Sequence, residues 1–383
     1  MRILVTGGFG LVGHAIQDVI ANRRPHSVGG SSERGTETYI DTEPTFATIV
    51  LTTIESLLSY ISIDAQYPAI RHPPAAPGIT RTDALGNDWT FVRQRDGDLR
   101  NAAAADRIFA AIRPDMVLHL AARVGGLFAN SADNVGFFED NMAMNANVIR
   151  LCKKYKVKKC VSCLSTCIFP DQTSYPIDET MLHNGIPHAS NLGYSWAKRS
   201  VDIMNRIYTT PETLFTSVIP TNIYGIHDNY DIAGGHVIPG LINKCHRSIA
   251  TGEPFIVYGS GTPHRQFIYA GDLAELLVWV VNEYQETESI ILSVDPEAEV
   301  SIAEVARAIA KVMGYTGSIQ FDITKSDGQY KKTANNAKLR CYKPDFKFTS
   351  LEAGLRQTVD GIKALNLIPI PPLPPITQNY RIA

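Results

Sequence analysis

Val5-Thr-Gly-Gly-Phe-Gly-Leu-Val-Gly13 stands directly behind the start of an apolar run, Arg2–Thr6, and ahead of a segment with Ala15, Ile16, Val19 and Ile20 at helical spacing. Strand, glycine turn and helix in that order open a dinucleotide-binding unit. Gly8-x-Gly10-x-x-Gly13 and Gly7-x-x-Gly10-x-x-Gly13 are both satisfied. Glycine is required because backbone must approach a pyrophosphate, and the helix N-terminus there offers free N–H groups and the positive end of its dipole. Gly7, Gly10, Leu11, Val12 and Gly13 are therefore cofactor-binding candidates.

From this unit the pattern continues as strands at Trp89–Val92, Met116–Leu120, Val157–Leu164 and Phe215–Ile219, alternating with helices at Ala102–Ile112, Phe137–Lys154 and Tyr194–Tyr208. That alternation predicts an α/β fold: a doubly wound, mostly parallel sheet of the Rossmann kind with helices on both faces. In the helix Phe137–Lys154, Phe138, Met142, Asn145, Ile149 and Cys152 read as one stripe. After Pro220 the pattern loosens into helices at Val237–Ile249, Gly271–Glu283 and Ser301–Met313, with strands near Phe255–Val257 and Ile290–Val294. Ser301 and Glu304 fit a capping box. This later part reads as a smaller C-terminal α/β substrate domain. The expected division is 1–23 and 87–235 for the dinucleotide domain, 236–365 mainly for substrate, and 366–383 as a proline-rich extended tail. Arg24–Gly86, rich in Ser, Thr, Pro and Gly, reads as a poorly ordered insertion with a helix over Thr48–Ile61.

Bulk properties narrow the function. The chain has 383 residues, 44% of them hydrophobic, and a net charge of -2, which argues against nucleic acid or an anionic membrane surface as partner. The N-terminus runs straight into a strand, and no uncharged apolar run approaches the ~20 residues of a spanning helix. Cys152, Cys160, Cys163, Cys167, Cys245 and Cys341 are too sparse for a disulfide scaffold, so the expectation is a reducing, cytoplasmic setting. No second pair follows Cys160-x-x-Cys163 to complete a zinc site; the two read as opposite faces of a buried strand, and no metal is expected.

The chemistry-bearing residues follow the strands. Trp89–Val92 runs into Arg93-Gln-Arg95, where cations suit the 2′-phosphate of NADP, with Asp98 near the adenine. Val157–Leu164 ends in Ser165-Thr-Cys167, which places a hydroxyl and a thiol beyond a strand's carboxyl end, where ligands of such sheets bind. If the chain stays extended, Cys163, Ser165 and Cys167 share one side. Tyr194 and Lys198, at i and i+4, share a helix face, and the ammonium is expected to lower the phenol's pKa. His236 starts a later helix, and Arg265 follows a glycine turn from which it can clamp a phosphate bidentately.

Taken together, Val5–Gly13, Ala121-Ala-Arg-Val-Gly-Gly-Leu127, Leu164-Ser-Thr-Cys-Ile-Phe-Pro170, Tyr194-Ser-Trp-Ala-Lys198, Ile219-Pro-Thr-Asn-Ile-Tyr-Gly225, His227-Asp-Asn229, His236-Val-Ile-Pro239, Gly259-Ser-Gly-Thr-Pro263 and Ser326-Asp-Gly328 resemble the extended short-chain dehydrogenase/reductase family. The resemblance covers residues 1–22 and 87–365. It implies an NADP(H)-dependent enzyme on a GDP-sugar, epimerising C3 and C5 of GDP-4-keto-6-deoxy-D-mannose and reducing C4 to give GDP-L-fucose. It implies Tyr194 as proton donor to O4, Lys198 on the nicotinamide ribose, Ser165 on the 4-keto oxygen, and Cys167 with His236 as the epimerising acid/base pair. Pro220, Thr221, Asn222, Ile223 and His236 would border the cofactor; Lys244, Tyr258, Arg265 and Asp327 would contact the GDP-sugar. A homodimer packed through helices, Phe137–Lys154 among them, is also implied. Two departures stand out: Tyr258 replaces a tryptophan frequent in bacterial members, and Arg24–Gly86 interrupts the cofactor domain. The alternatives are an NAD(P)-dependent epimerase/reductase of another nucleotide sugar, or a catalytically silent NADP-binding protein, whose mark would be loss of Tyr194 or Lys198.

Overall fold

Side chains of β1 (Arg2–Thr6) alternate between two cores: Leu4 enters one, Ile3 and Val5 the other. That alternation is the section through a sheet covered on both faces. The computed structural model describes residues 1–22 and 77–368; most of the expected insertion, including Thr48–Ile61, and most of the proline-rich end lie outside the described residues. The chain runs from β1 into α1 (Leu11–Asn22), and after the interruption through β2 (Ile79–Thr82), β3 (Asp88–Val92), α2 (Ala102–Ile112), β4 (Met116–His119), α3 (Leu127–Ala132), α4 (Asn134–Lys154) and β5 (Lys159–Cys163). Then come α5 (Leu192–Tyr208), β6 (Leu214–Pro220) and β7 (Asn222–Tyr224).

The second part continues with α6 (Val237–Thr251), β8 (Phe255–Tyr258), β9 (His264–Arg265), β10 (Phe267–Tyr269), α7 (Ala270–Glu283), β11 (Ile290–Leu292), β12 (Val300–Ser301), α8 (Ile302–Met313), β13 (Ile319–Asp322), α9 (Ala337–Tyr342) and α10 (Leu351–Leu365). The main sheet has seven strands in the order β11-β6-β5-β4-β1-β3-β2, all parallel except β2, which pairs antiparallel with β3. The mostly parallel, doubly wound architecture is the expected one. β2 is a strand that the sequence pattern does not announce, because all four of its residues are exposed and carry no apolar alternation. Regular structure therefore resumes inside the stretch read as insertion. Asp83 fastens the hairpin, accepting from the backbone N–H groups of Leu85 and Asn87 and from the Trp89 indole at 2.8 Å.

α2, α4 and α5 cover one face around Ile108, Phe109, Val148, Ile149 and Val201. α1 and α7 cover the other around Ile16, Ile20, Leu273 and Leu277. Cys160 packs into the first core and Cys163 against the second, as expected of a strand buried on both faces. In α4 the apolar stripe divides: Asn145, Ile149 and Cys152 are buried, whereas Phe138 is 40% exposed.

The later part is not a separate block. β11 is the seventh strand of the main sheet and α7 packs on α1, because the apolar run Leu273–Val281 needs a covered face and β6 needs an outer neighbour. The remaining elements form a third core between α6, α8, α10 and the β8–β13 pair, around Ile242, Phe255, Val305 and Leu355. Ser301 and Glu304 form the expected reciprocal cap on α8, with Ser301 N–H donating to Glu304 at 2.7 Å and Glu304 N–H to Ser301 Oγ at 3.2 Å. Among the described residues, no helix is long and apolar enough to cross a membrane.

One buried polar chain ties the sheet to α5. His119, fully enclosed, bonds Thr6 Oγ1 at 2.7 Å and Asn145 Oδ1 at 3.0 Å, and Asn145 Nδ2 donates to the Ala197 carbonyl of α5 at 3.1 Å. Burial, and then the nearby Lys198 charge, push the imidazole down to about 3, while Asn145 opposes them. Its folded pKa lies below its unfolded one. It thus contributes stability that is present above pH ~6.5 and is lost as pH falls toward ~3, at about 1.4 kcal/mol per pH unit. Denaturant melts of His119→Gln should show a smaller stability loss between pH 7 and pH 5 than the parent; an equal loss would place the acid sensitivity elsewhere.

Candidate active site

The carboxyl ends of β1, β3, β4, β5 and β6 open into one cavity of about 1150 Å³. Its wall holds Gly7, Gly10, Leu11, Val12, Gly13, Arg93 and Asp98, then Ser165, Cys167, Tyr194 and Lys198, then Pro220, Thr221, Asn222, Ile223 and His236, and finally Lys244, Tyr258, Arg265 and Asp327. Every site residue expected from sequence is there except Arg95. That side chain is exposed on the short turn Gln94–Asp96 and does not line the cavity. A volume above the ~300–1,000 Å³ of an ordinary single-ligand pocket suits a dinucleotide and a nucleotide sugar together.

The glycine turn is built for close approach. Gly7 adopts φ +70°, where a Cβ would lie 2.8 Å from the Ala121 backbone nitrogen. A Cβ on Gly13 would lie 2.4 Å from the Gly8 backbone, so α1 can only start this close to the strand with glycine there. Arg93 stacks its guanidinium 4.1 Å from the Phe9 ring centre and pairs with Asp96 at 3.6 Å, yet its Nε is buried without a hydrogen-bond partner. Thr221 Oγ1, Asn191 Oδ1, Asn130 Oδ1 and Asp228 Oδ2 are also buried, unpartnered and on the cavity wall. Orphaned polar atoms gathered around one cavity are what a hydrogen-bonding ligand satisfies. The glycine cradle and the Arg93 cation fit a phosphorylated dinucleotide such as NADP, and the orphaned oxygens suit the hydroxyls of a bound ligand. Asp98 is held by Arg100 at 2.7 Å, and that contact depresses its pKa.

Ser165 ends the β5 segment as the cap of the turn Thr166–Ile168, its Oγ accepting from Cys167 N–H at 3.4 Å. The chain does not stay extended here, as the alternation argument requires; the turn carries Cys167 to the cavity instead. α5 holds this turn with two side chains one helical turn apart. Ser195 Oγ donates to the Cys167 carbonyl at 2.9 Å, and Arg199 Nε donates to the Ile168 carbonyl at 2.9 Å. The neighbouring face of α5 presents Tyr194 and Lys198. Lys198 Nζ donates to the Cys163 carbonyl at 2.7 Å and lies 5.9 Å from the Tyr194 ring centre.

The expected lowering of the Tyr194 pKa is not seen. Burial, followed by the charges Cys167 and Cys163 can carry, pushes the phenol well up, and burial pulls Lys198 down. The ammonium faces a carbonyl, not the phenol oxygen, so desolvation wins. Arg265 also departs from expectation. Nη1 donates to the carbonyls of His264 at 2.7 Å and Tyr330 at 3.3 Å, and Nη2 to that of Gln329, so the fork is largely committed to backbone. Asp327 accepts from Ser260 N–H at 2.7 Å and Ser260 Oγ at 2.8 Å, fixing the Gly259–Gly261 turn. Lys244 rests over the Tyr258 ring, and burial brings its pKa down to about 8.

His236 stands at the N-cap position of α6 without a side-chain capping bond, and it reaches the cavity because the segment before it folds back. Gly126 N–H donates to the Gly234 carbonyl at 3.1 Å, and a Cβ on Gly126 would meet the Gly235 oxygen at 2.4 Å. Sequence reasoning missed three neighbours: Asn191, Asp228 and Lys332. Lys332 lines the cavity with no hydrogen bond or close ion pair for its ammonium among the described residues; burial lowers it to about 8, while Cys167 and Asp171 oppose that shift. Asn191 and Lys332 sit in no spacing that marks them, Asp228 lies in the His227-Asp-Asn229 segment without an assigned role, and the fold brings all three to the wall.

The chain matches the NAD dependent epimerase/dehydratase family over residues 3–294. It is 51% identical over 281 residues to a GDP-L-fucose synthase of Dictyostelium discoideum, covering 73% of this chain and 88% of that protein. The chain belongs to the GDP-L-fucose synthases of this family. A probable GDP-L-fucose synthase of Drosophila melanogaster is 51% identical over 279 residues, 71% of this chain and 87% of that one. The crystal structure of a GDP-L-fucose synthetase from Naegleria fowleri bound to NADP superposes with a TM-score of 0.76 at 38% identity, covering 96% of this chain and 93% of that chain. Arg93→Ala should raise KM for NADPH by roughly tenfold or more, the order of a lost charged contact, and leave KM for NADH little changed; equal effects on both would remove Arg93 from the 2′-phosphate.

Proposed function

We propose that the protein converts GDP-4-keto-6-deoxy-D-mannose to GDP-L-fucose with NADPH, epimerising C3 and C5 and reducing the 4-keto group. The observation that carries this reading is the convergence of Ser165, Cys167, Tyr194, Lys198 and His236 on the cavity floored by the glycine turn. NADPH, when bound, supplies the hydride delivered to C4. Gly7, Gly10, Leu11, Val12 and Gly13 hold its pyrophosphate, Arg93 its 2′-phosphate, Lys198 its nicotinamide ribose, and Pro220–Ile223 border the nicotinamide. Lys244, Tyr258 and the unspent donors of Arg265 face the GDP-sugar, with Asp327 ordering the turn beside them.

Hydrogens at C3 and C5 are acidic because each neighbours the C4 carbonyl. Loss of either proton sends its electron pair to O4, and Ser165 stabilises that oxyanion: its Oγ accepts from Cys167 N–H, which leaves its own O–H to donate. Cys167 and His236 come from separate segments, so they can act as acid and base on opposite faces of the ring, which inversion demands. Tyr194 then protonates O4 during reduction. A phenol whose pKa is raised by burial stays neutral across the working pH range and releases its proton only as the far more basic alkoxide forms.

Purified protein with NADPH and GDP-4-keto-6-deoxy-D-mannose should consume reduced nicotinamide, with UDP- and dTDP-4-keto sugars much slower. Tyr194→Phe should lower that rate by at least ~10²-fold. Cys167→Ser should slow solvent-deuterium incorporation at C3 and C5 while reduction of an already epimerised intermediate persists. A Cys167→Ser enzyme that exchanges at the parent rate overturns the thiol's role.

We also propose that the enzyme acts as a cytoplasmic homodimer through α4 and α5. These helices pack on each other and leave Val135 and Phe138 of α4 and Trp196, Ile203 and Ile207 of α5 exposed. Each set follows helical spacing, so the pair offers an apolar face that a second copy covers. Ile203→Glu with Ile207→Glu should shift the mass measured by light scattering from two chains to one; an unchanged mass would put the contact elsewhere.

A further inference from the structure

Phe9 stands inside the glycine turn, where it lines the cavity and packs against the core around Val5, Ile16 and Phe91. Backbone register brings it beside Arg93. Thr6 of β1 lies opposite Val92 of β3, and Gly8 N–H donates to the Val92 carbonyl at 2.9 Å. The residues that follow, Phe9 and Arg93, therefore emerge side by side. The guanidinium carbon lies 4.1 Å from the centre of the Phe9 ring. His14 of α1 backs that ring edge-on, with centres 5.6 Å apart, and is itself stacked on His227 at 4.1 Å. Little else orients the guanidinium. Among the described residues it donates no hydrogen bond, and its Nε is buried without a partner. Asp96 lies 3.6 Å from Nε, and the same carboxylate oxygen already accepts from the Arg93 backbone N–H at 2.9 Å.

We infer that Phe9 is a positioning residue for the coenzyme: its ring holds the Arg93 guanidinium ready for the 2′-phosphate and so sets the preference for NADPH over NADH. The inference rests on the 2′-phosphate role given above to Arg93. An arginine without hydrogen bonds samples many rotamers, and a ligand that must fix it loses affinity by doing so. An aromatic face removes part of that loss beforehand. It attracts the cation through the ring quadrupole, fixes the plane of the guanidinium and brings no negative charge of its own. A second carboxylate in its place would hold the arginine equally well but would cancel the charge that a phosphate needs. A guanidinium stacked by its face keeps its edge donors, and those edges match phosphate oxygens two at a time. The ring is fixed in turn by the core beneath it and by His14 behind it. Phe9 also belongs to the turn whose glycines hold the pyrophosphate, so cradle and clamp form one rigid piece. NADH presents a hydroxyl where NADPH presents a phosphate and does not draw on the cation, so the effect of the ring is confined to the phosphorylated coenzyme.

The test is equilibrium binding of NADP+ and NAD+ to the full chain by titration calorimetry, which needs no turnover. In Phe9→Leu, which keeps an apolar side chain and removes the ring, Kd for NADP+ should rise about fivefold to tenfold. Kd for NAD+ should stay within about twofold, which also reports that the glycine cradle is intact. Phe9→Tyr, which restores an aromatic face, should bind NADP+ within about twofold of the parent. In an Arg93→Ala background, Phe9→Leu should weaken NADP+ no further, because the ring acts through the guanidinium. Equal weakening of both nucleotides in Phe9→Leu would make the ring a structural part of the turn and overturn the inference. Parent affinity for NADP+, a loss that Phe9→Tyr does not restore, or a loss that persists in full without Arg93 would overturn it as well. In those cases the Arg93 reading stands as long as Arg93→Ala weakens NADP+ alone. An Arg93→Ala protein that weakens neither nucleotide, or both alike, overturns that reading and the inference with it.

Discussion

The site depends on the grip of α5 on the turn after β5. Ser195 and Arg199 donate to successive carbonyls of that turn, those of Cys167 and Ile168, each at 2.9 Å. The adjoining face of the same helix carries Tyr194 and Lys198. Because a helix is rigid over one turn, fixing the first pair fixes the second. Serine hydroxyl, thiol, phenol and ammonium are thereby held in one geometry, though they come from segments some thirty residues apart. Arg199 is itself fully enclosed, so water cannot compete for these bonds.

The second constraint is the interleaving of the two parts. The chain leaves the main sheet at β6, contributes α6 with His236 at its start, and returns through α7 and β11. An imidazole on the far wall is thus carried by an element whose flanks are built into the same sheet as the glycine turn. Gly126 and Gly235 permit the two walls to touch at backbone distance. A site needing groups on opposite faces of a sugar ring gains from such an arrangement, since each face is lined by a different rigid unit.

Burial sets the electrostatics. Tyr194 is driven up and Lys198 down by the loss of water, and Lys244 and Lys332 are brought to about 8 for the same reason. Lysine cations on its wall suit the phosphates of a bound ligand and the orphaned oxygens its hydroxyls, and a diphosphate-linked sugar offers both.

Much of this was legible in the chain before folding. The glycine spacing requires backbone approach at Gly7 and Gly13, the strand–helix alternation requires a parallel sheet, and i,i+4 geometry puts Tyr194 beside Lys198; each is a property of local backbone periods. The edge strand β2 was hidden because its exposed residues carry no alternation to read. Other features were decided only by tertiary contacts. Arg93, not Arg95, faces the cavity because the backbone turns after β3. Arg265 spends much of its fork on carbonyls that approach from residues 329 and 330. Asp228 comes within 3.9 Å of His236 through the fold of a loop, and the phenol's pKa rises because neighbours exclude water. Sequence determines which groups are available and their short-range spacing; the packed chain determines which of them meet and how much water stays between them.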